Sequence, residues 1–176
     1  MATSLRTADI LFNDGTTQTT SKPASATAVA STSGTAIDFT GIPSWAKRIT
    51  VIFNNVSTNG ANNILIQIGS GAFTTSGYSS SCADVGNANS TATVSSTSGF
   101  VIRNFAAAST VHGAMTIFLI GSNIYIASLS TSNNWAVNGE CGGGGVTLGG
   151  TLDRVRLTTV GGTDSFDLGS VNIFWD

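Results

Sequence analysis

The stretch MTIFLIGSNIYIA, Met115 to Ala127, decides the fold class. Met115, Ile117 and Leu119 fall on one side of an extended chain, with Thr116, Phe118 and Ile120 on the other. Ile124 and Ile126 then alternate with Tyr125 and Ala127. Strand side chains point to opposite faces with a period of two, so the pattern reads as two strands. Gly121-Ser122-Asn123 between them has the length and residue types of a hairpin connection. Working outward, the alternation recurs at Ile49-Val51-Phe53, Ile64-Ile66-Ile68, Val155-Leu157 and Val171-Ile173-Trp175. Strand-like pieces at 36–39, 78–83 and 99–104 bring the number to about nine. The turn spacing between them is that of an antiparallel β-sandwich. No helix of three turns is expected, and FAAAS (105–109) has room for one turn.

Composition agrees with an all-β chain. Gly, Ser, Thr and Asn number 21, 23, 25 and 14 among 176 residues, so small and turn-forming types dominate. Two Lys and one Glu leave almost none of the usual helix-surface residues. With 41% apolar residues the chain is not of disordered composition. A net charge of −2 gives no electrostatic footprint for nucleic acid or an acidic membrane. No apolar run is long enough for a transmembrane helix, and MATSLRTADILF lacks the apolar core of a secretory leader. Cys82 and Cys141 are too few for a disulfide framework and are expected as free buried thiols.

The chain divides near residue 35. Residues 1–35 are expected to form an N-terminal arm and linker, with a short apolar run, an Asp14-Gly15 turn and a Ser/Ala/Thr-rich stretch. Residues 36–176 are expected as the head domain. Gly161-Gly162 reads as a second tight hairpin, joining 152–160 to 163–168. That register sets Leu157 against Phe166 and pairs Arg156 with Asp167. Strands 115–120 and 171–175 are apolar on both faces, which points to a second buried surface, either a subunit interface or a face covered by the arm.

Catalytic chemistry has little to stand on. His112 is the one histidine and reads as structural. Glu140 is the one Glu and lies in GECGGGGVTLGG, which lacks the Gly-Lys-Ser/Thr ending of a phosphate loop and reads as a mobile surface loop. Asp153, Asp164 and Asp167 lie near Arg154 and Arg156 and read as structural partners. The chain is therefore not expected to be an enzyme, and no cofactor or metal is expected. The candidate contact residues are loop aromatics. Trp135 follows Asn134 in TSNNWAVNGE, and Tyr78 lies in TTSGYSSS; aromatic faces beside amides suit a sugar, and ordinary packing is the plainer alternative. Trp45 in GIPSWAKR reads as core or interface packing.

Four segments carry a family resemblance. ILFNDGTTQTT (Ile10–Thr20) resembles an element common in bacteriophage fibre proteins, where it precedes a C-terminal β domain. IDFTGIPSWAKRITVIFNNVST (Ile37–Thr58), IGSGAFTTSGY (Ile68–Tyr78) and LGGTLDRVRLTTVGGTDSFDLGSVNIFW (Leu148–Trp175) are similar to segments of phage tail-fibre and head-fibre proteins. The resemblance implies a virion structural protein: a homotrimer with a β-sandwich or jelly-roll head, no cofactor and no catalytic residues. The expected partners are other copies of the chain, another virion protein held by the arm through Ile10, Leu11, Phe12, Asp14 and Gly15, and a host-surface glycan. Longer fibres carry a shaft before the DGTTQTT element; nine residues precede Ile10 here, so no shaft is expected. The leading expectation is a short tail fibre or fibre tip mediating host attachment. The alternative is a capsid decoration or head-fibre protein that stabilises the capsid. Either is assembled in the host cytoplasm and displayed on the virion.

Overall fold

The structure is a computed structural model describing residues 4–5, 10–11, 13, 15, 17–18, 23–86, 91–104, 106–134 and 138–176. In chain order its strands are β1 Ser4–Leu5, β2 Ile10–Leu11, β3 Thr17–Gln18, β4 Ala24–Ser25, β5 Val29–Ala30 and β6 Ala36–Thr40. Then come β7 Arg48–Thr58, β8 Ile64–Ser70, β9 Ala72–Phe73, β10 Ser79–Val85, β11 Thr91–Ser96 and β12 Phe100–Ile102. The last are β13 Val111–Gly121, β14 Ile124–Asn133, β15 Asn138–Thr147, β16 Arg154–Thr159 and β17 Phe166–Trp175. Strand makes up 60% of the chain and helix 2%, so the protein is all-β.

Every pairing is antiparallel. β1, β2 and β3 make a small sheet of their own. The nine-stranded sheet runs β11-β10-β15-β14-β13-β7-β17-β4, with β5 also on β17. The five-stranded sheet runs β12-β8-β16-β6, with β9 on β8. Inward side chains of the two larger sheets form one apolar cluster, to which β7 gives Ile49, Val51 and Phe53, and β8 gives Ile64, Ile66 and Ile68. These β-branched and aromatic residues fit a pleated, half-buried surface. Met115 and Ile117 are buried, and Phe118 and Ile120 exposed, as their alternation dictates.

Three expectations give way here. First, 161–162 is not a hairpin. The chain leaves β16 in the smaller sheet, makes a single 3-10 turn at Val160–Gly162, and enters β17 in the larger one. β16 pairs with β6 and β8, so Leu157 faces Ile37 and Ile66 rather than Phe166. Positive φ at Gly161 (81°) and Gly162 (64°) serves this crossing. Second, GECGGGGVT is strand β15, held between β14 and β10, not a mobile loop. Its glycines are needed for close approach: a Cβ on Gly142 would lie 2.5 Å from the Ser81 carbonyl oxygen, and one on Gly143 2.5 Å from that of Ala127. Third, residues 24–30 belong to the head. Ala24 and Ser25 pair with Trp175 and Phe174, and Val29 and Ala30 with Val171 and Ser170. Ser31 is buried and its hydroxyl donates to the Leu168 carbonyl at 2.7 Å. This segment covers an edge that β17 would otherwise leave open.

Candidate functional site

The residues expected to meet a glycan are not gathered in one place. Tyr78 is buried beside Phe100, ring centroids 5.0 Å apart and edge to face. Its hydroxyl accepts from the Ile68 N–H at 2.8 Å, and burial pushes its pKa up to about 12. Tyr78 is therefore a core residue and not a contact residue; the packing reading of its loop is the correct one. Asn134 is exposed in the turn after β14, and its Oδ1 accepts from the Thr110 N–H at 2.8 Å. The register places them at opposite ends of the nine-stranded sheet: Tyr78 precedes Ser79, opposite Gly145, whereas Asn134 follows Asn133, opposite Asn138. Trp135 lies outside the described residues.

In the arm, Ile10 and Leu11 form β2, between β1 and β3. Gly15 takes a φ of 83°, as a turn between β2 and β3 requires. Phe12 and Asp14 lie outside the described residues.

Arg156 does not pair with Asp167. Because β16 lies against β6, its guanidinium meets Asp38 through two bonds of 2.7 Å, and it stacks 4.1 Å from the Phe73 ring. Arg154 closes on Asp153 at 2.7 Å. These groups give the five-stranded sheet a charged outer face. Asp164 is elsewhere, accepting from the Asn62 N–H at 2.9 Å and the Asn62 amide at 2.7 Å. It thereby joins 59–63 to 163–165, two of the segments that carry the chain between sheets.

The other sheet has a different exterior. Its outward row at one end runs Ile126, Phe118, Arg48. The next rows run Ser128, Thr116, Thr50, Phe174 and Ser130, Ala114, Ile52, Asn172. Phe118, Ile120, Ile126, Ile52 and Phe174 are all exposed. Arg48 is closed by Asp176, its Nε donating to Oδ1 at 2.9 Å, and the guanidinium holds that carboxyl below the usual range. His112 is exposed and accepts from the Asn55 N–H at 3.2 Å. Comparison with known proteins finds no matching family model, curated protein or solved structure.

A second feature is internal. Glu140 of β15 sits directly across from Asp84 of β10, both buried on the core face. Glu140 Oε2 accepts from the Thr131 hydroxyl at 2.8 Å, while Oε1 is buried without a partner. Arg103 is bonded to Asp84 at 2.5 Å. Burial raises the Glu140 pKa to about 7. Among the described residues no group of three or more His, Cys, Asp or Glu could hold a metal. Both thiols are free, but only Cys82 is buried as expected: Cys82, opposite Gly142, faces the core, whereas Cys141 comes one position before Gly142 on β15, so the alternation of the strand turns it outward and exposes it.

Proposed function

We propose that this chain is a bacteriophage virion structural protein of the short tail-fibre type. The head is a β-sandwich of jelly-roll kind, assembled as a homotrimer, and the arm holds it to another virion protein. The observation that carries the reading is the run of four fibre-like segments, Ile10–Thr20, Ile37–Thr58, Ile68–Tyr78 and Leu148–Trp175. Two antiparallel sheets around one apolar cluster support the sandwich. Exposed apolar residues on strands β7, β13, β14 and β17 support a further buried surface. The arm, through Ile10, Leu11 and Gly15, makes the joint to the particle. Asn134, exposed in the turn after β14, with Trp135 next to it in sequence, is the part of the head offered to a host glycan. Three copies make weak contacts cumulative.

Antibody-gold labelling of intact particles tests the assignment. Label at the tail is the expected result. Label spread over the capsid would replace it with the decoration reading, and absence of label from purified particles would sink both.

A further inference from the structure

We infer that the outer face of the nine-stranded sheet is the surface on which copies of this chain pack, with the Phe118, Ile120 and Ile126 patch of one copy set against Ile52 and Phe174 of the next and one of its side chains filling the groove there. The inference rests on the oligomer reading above and assigns it a surface.

The two sheets have unlike exteriors. The smaller one shows Arg154, Arg156, Asp38 and Asp153, an ordinary wetted face. On the larger one, the outward residues of β7, β13 and β14 between Arg48 and His112 are hydroxyl, amide, small or apolar. Water gains little there, and large apolar side chains are left in it.

The apolar residues form two patches, one projecting and one recessed. Phe118 and Ile126 are cross-strand neighbours, each 40% exposed, and Ile120 beyond them is 65% exposed. They project near the β13–β14 hairpin. Beside them the Arg48–Asp176 pair forms one wall of a groove of about 270 Å³ whose other walls are Pro23, Thr50, Ile52, Phe174 and Trp175. A cavity of about 150 Å³ accepts a benzene ring, so this groove has room for one large side chain. The ion pair between the patches is already closed within the chain, so covering it leaves no lone charge.

Size and charge favour a second copy as the occupant. Eight strands about 4.8 Å apart, with a usable length of roughly 20 Å, give a face of about 700 Å². The whole face is thus close to the roughly 800 Å² that a stable interface takes from each partner, and in a ring of three each copy divides it between two neighbours, about 350 Å² to each. A face with no net charge does not repel its own copy, and offers nothing for a strongly charged partner to read. One chain supplies both the projection and the groove, as different patches, so the contact can repeat head to tail and close a ring of three.

Light scattering on the full chain, coupled to size exclusion, tests this with Phe118→Ser plus Ile120→Ser and separately with Ile52→Trp, which fills the groove from an exposed position. The wild type is expected at about three times 17.8 kDa, and both variants at 17.8 kDa with unchanged far-UV circular dichroism. If both folded variants keep the wild-type mass, this face is not the interface, although the oligomer stands. A wild type at 17.8 kDa overturns the oligomer reading itself. If the mass falls only when residues 1–22 are deleted, the arm makes the contact and the assignment of this face is wrong.

Discussion

Tyr78 shows how one hydroxyl can fix a residue's role. Its sequence neighbours are Gly and Ser, as in an exposed loop, yet the ring lies in the core because its hydroxyl satisfies the Ile68 N–H. Tyr78→Phe keeps the ring and strands that buried donor. The expected loss is about 1–3 kcal/mol in chemical denaturation, with no change in any glycan binding the head shows. Local sequence could not reveal this, since the partner is set by β8 turning back through β9. Arg156 is a similar case. Its neighbours Val155 and Leu157 correctly marked a strand with an outward Arg, but its partner depended on which strand lay alongside. Asp38→Asn should cost about 0.2–1 kcal/mol, the range for an exposed pair, and Asp167→Asn should leave the denaturation midpoint where it was. The reverse order would restore the hairpin register.

At the scale of the strand, alternation of large apolar residues was legible and small residues were not. β13 and β14 could be read from Met115 to Ala127 because their inward and outward residues differ in size. β15 could not, because Gly142 to Gly145 have no side chains to alternate. β4 and β5 are two residues each and owe their pairing to β17 alone. Placing Glu140 in a strand rather than a loop also changes its chemistry. Its carboxyl faces Asp84, Arg103, the Thr131 hydroxyl and the Cys82 thiol from the strands and turn packed around it. Its pKa is raised in the folded state to about 7, from 4.5, so the native protein binds the proton more tightly than the unfolded chain. The resulting stability is fully present below the unfolded pKa and is lost as pH rises to about 7, on the order of 3 kcal/mol in all. Urea midpoints taken from pH 4 to 8 should fall over that window in the wild type and fall less in Glu140→Gln. Parallel curves for the two proteins would show that Glu140 does not carry the effect.

For the whole molecule, the boundary between arm and head moves from residue 35 to about residue 23, because Ala24 to Ser31 are bonded to β17. Deleting residues 1–22 is expected to leave a folded head with the wild-type melting temperature that no longer joins the particle. Incorporation of the truncated chain would remove the anchoring role from Ile10, Leu11 and Gly15. The division into two sheets followed from strand number and spacing, but the order of strands within them did not. After β6, the chain passes repeatedly between the sheets, so that several strands pairing within one sheet, such as β7 with β17 and β8 with β16, are distant in sequence. That topology has a kinetic consequence. β17 lies between β7 and β4, and Trp175 must find both Ile49 and Ala24. During synthesis β4, β5 and β7 leave the ribosome long before β17 exists, so β4 and β5 have no partner and β7 is an open edge until β17 arrives. Folding of such non-local β topologies runs on the millisecond-to-second scale. A copy in which β17 has not docked keeps β11-β10-β15-β14-β13-β7 in order but leaves β4 and β5 without a partner and Phe174 absent from the outer face, so that edge of the sheet is the last part of the head to be completed.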